Sequence, residues 1–217
     1  MIKVKINGVE HAFPTRWEDL TFKQFIDIWT EREGTNDHTK LLSILAGVDL
    51  SRADIIVGLT DMVVMAGFLN TPSRFEESYP NVGPYKIKPN KPDGWDIRFE
   101  SLGQFEDMRA LFGDKTETML QHTKKYARYV AIYLQKIRDG EYDPLKTDEM
   151  EHEVMKYPAG EVVWLGGFFF AKLLISLRGI SVASPDTALN QKKSKPALNG
   201  SKPRSASTPP SPKSRRR

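Results

Sequence analysis

Apolar and polar positions alternate at the start of the chain. "IKVKI" and "VEHAF", residues 2–6 and 9–13, flank Asn7-Gly8, whose two positions need positive φ. That combination predicts a β-hairpin. Pro14 ends the second strand. From Thr21 the period changes to three and four. Phe22, Phe25, Ile26, Ile28 and Trp29 give one helical face through about Arg32. Thr15-Arg-Trp-Glu18 and Thr21-Phe-Lys-Gln24 both read as capping boxes. "HTKLLSILAG" predicts a short helix with Asp37 as N-cap and Gly47 as its stop. "SRADIIVGL" and "TDMVVMAGFLN" predict two more, capped by Ser51 and Thr60 and closed by Pro72.

Residues 71–100 lose the helical period and gain proline. One short strand is expected at "YKIKP", paired with another near "WDIRF", with Trp95 as an aromatic anchor. Ser101-Leu-Gly-Gln104 is a third capping box, opening a helix through about Phe112. The longest helix is expected from about Lys115 to Ile137. Met119, Thr123, Tyr126, Val130, Tyr133, Leu134 and Ile137 form its apolar face, opposite Gln121, Lys124, Lys125, Arg128 and Gln135. At 1.5 Å per residue it is about 35 Å long, enough to serve as a spine. Gly140 ends it, and helices follow from about Pro144 to Lys156 and Ala159 to Leu177.

From Ser181 the pattern stops. Ser, Pro, Lys and Arg dominate, too little apolar surface to offset an ordering entropy of roughly 1–2 kcal/mol per residue. The expected fold is mainly α (α+β). A multi-helix globular domain over 1–180 starts with a β-hairpin and carries a minor second β element, and a disordered basic tail covers 181–217. Charge sharpens that division. The tail has nine Lys/Arg against one acid, Asp186, a net +8. The whole chain is +4, so residues 1–180 carry −4. The basicity is local.

The chain has no cysteine, which removes disulfides, thiol nucleophiles and Cys-ligated zinc. The first residues lack the apolar core of a signal peptide. The most apolar run, Val162 to Leu177, contains Lys172 and is shorter than the roughly 20 residues a bilayer span needs. A buried helix is expected there, with no membrane partner. No phosphate loop, dinucleotide fingerprint, nucleophile elbow or zinc-protease motif occurs. Glu149 and His152 share a helix face, but a di-metal site needs a second such pair. Asp143 before Pro144 reads as a helix N-cap. No enzyme activity, cofactor or metal is expected.

Two candidate binding features remain. Phe168, Phe169 and Phe170 point in different directions around a helix, so at least one lies off the core face. With Trp164, and after Gly166-Gly167, they form the candidate partner-binding surface. In the tail, Lys192, Lys193, Lys195, Lys202, Arg204, Lys213, Arg215, Arg216 and Arg217 form a candidate nucleic-acid or polyanion arm. It has no aromatic residue for stacking on bases, so any binding is expected to be non-specific.

Four segments carry a family resemblance: "INGVEHAFPTRWEDLTFKQFIDIW", "SLGQFEDM", "YVAIYLQKIRDGEYDPLKTDEM" and "VVWLGGFFFAKLL". In their order along residues 1–178 the chain resembles small bacteriophage proteins encoded among tail genes, tail assembly chaperones included. The resemblance implies a non-enzymatic role. Such a chaperone keeps the long, helical tape-measure protein soluble while tail tube subunits assemble around it. Its partners are then tape-measure and tail tube proteins, and its place is the cytoplasm of an infected cell. The alternatives are a structural virion component (baseplate, connector or minor tail protein) and a nucleic-acid-associated protein using its basic tail.

Overall fold

The computed structural model describes residues 1–53, 55–75, 79–87, 101–112 and 116–181, the last six as backbone only. The chain divides into two units, Met1–Leu177 and Arg178–Arg217, and the core described here lies in the first. It is mainly helical, with an N-terminal β-hairpin and a second small sheet.

Strands β1 (Ile2–Ile6) and β2 (Val9–Phe13) pair antiparallel, Ile2 opposite Phe13 and Ile6 opposite Val9. Asn7 and Gly8 take the positive φ the turn requires. Val4, Ile6 and Phe13 are buried, while Lys3 and Glu10 pair at 2.7 Å on the outer face. A third strand, β3 (Ile56–Val57), joins the other edge of β1, Ile56 opposite Ile6. This corrects the helix expected over "SRADIIVGL". Only Leu50–Arg52 turns, as a 3-10 segment capped by Asp49 rather than Ser51. The Asn7 side chain then accepts the Ile55 N–H at 3.1 Å, and Asn7 N–H donates to the Ile55 carbonyl at 2.9 Å. These bonds draw the segment out beside the hairpin turn.

The Thr21 box forms in full and opens α1 (Phe22–Glu33). Gln24 also reaches the carbonyls of Ile44 and Leu45, both at 3.2 Å, at the end of α2 (His38–Ala46). Asp37 caps α2, and Gly47 closes it in the left-handed region. The Thr15 box does not form. The Asp19 carboxylate takes the Thr15 N–H and hydroxyl instead, and Trp17–Asp19 is a 3-10 turn. Helix α3 (Leu59–Met65) starts at Gly58 rather than Thr60 and runs into a 3-10 turn, Ala66–Asn70.

The second sheet is β4 (Asn81–Val82) with β5 (Tyr85–Lys86). The partner of the strand at Tyr85 therefore lies before it, across a Gly83-Pro84 turn. "WDIRF" and Trp95 lie outside the described residues. Helix α4 (Leu102–Ala110) is capped by Ser101, but Gln104 turns inward and donates to the Ile132 carbonyl at 3.0 Å. The expected spine is two helices, α5 (Met119–Lys124) and α6 (Tyr126–Asp139), parted at Lys125. The Lys125 N–H bonds to the His122 carbonyl at 3.0 Å, a tightened last turn. A 3-10 turn at Pro144–Lys146, capped by Asp143, leads into α7 (Thr147–Val154), and α8 (Ala159–Ser181) is the longest element.

The core lies where α6, α7 and α8 meet. Tyr129, Leu134, Met150, Val162, Leu165 and Phe169 are fully buried there. Three backbone bonds tie the N-terminal half to it. Phe22 and Lys23 N–H donate to the Tyr157 and Met155 carbonyls at 2.8 and 2.9 Å, and Ala159 N–H donates to the Leu20 carbonyl at 2.8 Å.

Candidate partner-binding surface

Helix α3 reads LTDMVVM, with Asp61 its one charge. A short helix has two faces, and here both are apolar. Met62 is fully buried, which leaves Leu59, Val63, Val64 and Met65 to solvent. Val63 is 55% exposed and Val64 66%. The segment just before α3 is exposed as well. Ile55 and Val57 lie two residues apart, so they share the outer face of the strand, and both are more than half exposed. Six large apolar side chains thus reach solvent within eleven residues. Exposed Leu102 and Leu145 elsewhere are single side chains of the kind any surface carries. A contiguous apolar stretch marks a contact surface.

Beside α3 lies a cavity of about 500 Å³, between the end of α1, the start of α2 and the turn after α3. Leu41, Leu42, Val63, Ala66 and Leu69 give it an apolar wall. Arg32, Asn36, His38 and Asn70 form a polar rim, and no acidic side chain lines it. Arg32 stands 5.7 Å over the Trp29 ring and donates to the Leu69 carbonyl.

The aromatic run of α8 is used mostly inside the fold. Phe169 is fully buried, against Tyr133 at 5.1 Å between centroids. This corrects its reading as a partner-binding residue. Phe170 is half-buried in a ring cluster with Phe112 at 5.3 Å and His122 at 4.6 Å. Phe168 is half-buried, edge-on to Phe169, with the Lys172 ammonium 5.5 Å from its ring. Trp164 is half-buried and 6.4 Å from Tyr79. Gly166 does admit a close neighbour, but an internal one: a Cβ there would overlap Tyr126. The four residues therefore do not form one open patch. The nine tail cations lie outside the described residues.

Other charged groups are taken up locally. Lys125 pairs with Glu117 at 2.6 Å, and Arg128 pairs with Asp148 and Glu151. Two of the helical cations of this region are thereby matched by carboxylates. Glu149 bonds Arg138 at 3.2 Å, and His152 Nδ1 lies 2.7 Å from the Asp148 carbonyl, so that pair serves the helix surface. Among the described residues no group of three or more His, Cys, Asp or Glu is placed to hold a metal ion. No described helix is long and apolar enough to cross a membrane.

The half-buried Glu161 and the buried Tyr129 are among the groups whose acidity is shifted. Burial pushes the Glu161 carboxyl up, against the Gly83 N–H that it accepts at 2.7 Å. Burial, with the Glu117 charge adding to it, pushes the Tyr129 hydroxyl well above its ordinary range. Both serve packing, since Glu161 holds the β4–β5 turn and Tyr129 lies in the core.

Sequence reasoning missed β3 and the outer face of α3. The signal was present in "IIVGLTDMVVM", where one charge in eleven residues leaves no polar face for a short helix. No family model, no curated protein and no solved structure matches the chain.

Proposed function

We propose that the chain is a non-enzymatic assembly protein that covers an exposed apolar helix of a partner. In the reading its sequence resemblance favours, it is a bacteriophage tail assembly chaperone for the tape-measure protein, acting in the cytoplasm of an infected cell. The observation that carries this is the solvent-facing apolar surface of β3 and α3. Aliphatic side chains on a short helix anchored by Met62 give no catalytic chemistry. They suit a helix that lays its own apolar face against them. The −4 charge of residues 1–180 supports the same reading, since it keeps a body with such a surface soluble.

Affinity capture from cells that make the chain naturally tests this, with and without nuclease and with Val64→Asp beside the native sequence. The reading predicts one long helical tail protein, identified by mass spectrometry, retained after nuclease and lost with Val64→Asp. It also predicts absence of the chain from mature particles. Stoichiometric presence there would instead favour the structural virion component. Capture that disappears with nuclease, or on removal of 182–217, would move the function to nucleic acid held by the tail.

A further inference from the structure

The apolar face of α3 does not stop at the helix. Val63 belongs both to that face and to the wall of the neighbouring cavity. A partner lying along α3 therefore passes over the cavity mouth. The cavity is about 500 Å³, room for an inserted side chain and its neighbours. Its wall selects an aliphatic group. Its rim adds a charge preference. Arg32 donates one bond to the Leu69 carbonyl and makes no ion pair among the described residues, although a guanidinium carries five donors. The other rim groups, Asn36, His38 and Asn70, bring no negative charge. An aliphatic wall beside a guanidinium that has no carboxylate partner among the described residues is complementary to an apolar side chain with a carboxylate close by.

We infer that this cavity is the anchor pocket of the docking surface. Its occupant is an α-helix of a partner protein. One Leu, Ile or Met of that helix enters between Leu41, Leu69 and Ala66. A Glu or Asp one turn away on the same face meets Arg32 in a charge-assisted hydrogen bond. A small amphiphile would satisfy the cavity but leave the exposed residues of α3 uncovered, whereas a helix lying along α3 reaches both. The inference rests on the docking role proposed above and specifies the chemistry of the partner.

Gly67 gives a clean test. It lines the cavity, and a Cβ built on it meets nothing within 4 Å, so a side chain has room to start there, and Gly67→Phe is the variant chosen to block the pocket. The probe is a labelled amphipathic peptide of about 20 residues, long enough to populate helix, with one aliphatic face and a Glu four residues after its central Leu. Anisotropy titrations use the full chain, Gly67→Phe, Arg32→Gln and Val64→Asp, with thermal melts to confirm that each is folded. The native chain is expected to bind the Glu peptide at least about tenfold more tightly than its Lys counterpart, the worth of one charge-assisted bond. Gly67→Phe is expected to lose binding of both peptides. Arg32→Gln is expected to bind the two alike. A folded Gly67→Phe that binds as the native chain does would overturn the pocket assignment, as would a native chain indifferent to Glu or Lys or blind to both peptides. If sedimentation shows a dimer that Gly67→Phe converts to monomer, the occupant is a second copy and the inference is wrong. Loss with Val64→Asp alone would leave the docking surface standing and remove only the pocket, which separates this failure from failure of the proposed function.

Discussion

Gln135 sits on α6 with its side chain fully buried, at a position where the helical period predicts a solvent-facing residue. Its amide closes two bonds to one backbone unit: Nε2 donates to the Asp143 carbonyl at 2.6 Å, and Oε1 accepts the Asp143 N–H at 3.3 Å. The turn that follows Gly140 is thus pinned from within the core. Gln135→Leu would remove both bonds, leaving the Asp143 carbonyl with the Lys146 N–H at 3.1 Å alone, and is expected to cost about 1–2 kcal/mol, read as a lower urea midpoint. The neighbouring glycines of α8 differ in the same local way. Gly166→Ala drives a methyl into Tyr126 and is expected to destabilise by about 1–3 kcal/mol. At Gly167 the nearest atoms of Tyr126 are 3.8 Å away, an ordinary contact. Gly167→Ala should therefore gain up to about 1 kcal/mol from helix propensity. Equal effects in the two unfolding curves would contradict this packing.

The elements that the sequence revealed are those with long, single-period patterns. The hairpin rests on five-residue alternation and Asn7-Gly8, and α1 on a face led by a complete capping box. Those it hid are short or depend on distant partners. Strand β3 has two paired residues and is made a strand by β1 and Asn7, which no local pattern in "DIIVG" records. The break at Lys125 is equally silent, because the apolar spacing runs through it from α5 into α6. The β4–β5 turn depends on a distant residue too, with the Glu161 carboxylate accepting the Gly83 N–H. Because burial raises the folded Glu161 carboxyl above its unfolded value, the folded state holds that proton more tightly. Its contribution is full below the unfolded value and is lost as pH rises through the folded one. Glu161→Gln removes the ionisation and keeps an acceptor for Gly83. Its stability is expected to fall less than that of the native chain across that rise in pH, which chemical unfolding at a series of pH values measures.

The division of charge between a −4 body and a +8 tail was legible from composition. The candidate surface was not. The sequence points to the aromatics of α8 because bulky rings in a row look conspicuous, yet α8 packs against α5 and α6, which take Phe170 into a ring cluster and bury Phe169. The aliphatics of α3 look ordinary, and the helix is too short to hide them. Exposure of Val64 means that changing it should scarcely affect folding. Val64→Asp is expected to unfold within about 0.5 kcal/mol of the native chain while abolishing partner binding. The most direct measurement places a photo-crosslinking side chain at position 64 in cells that make the protein naturally and identifies the adducts by mass spectrometry. The account predicts adducts with one long helical polypeptide, with none from the same group placed at Ala12 on the outer face of the hairpin. Adducts at both positions alike, or none from position 64, would contradict it.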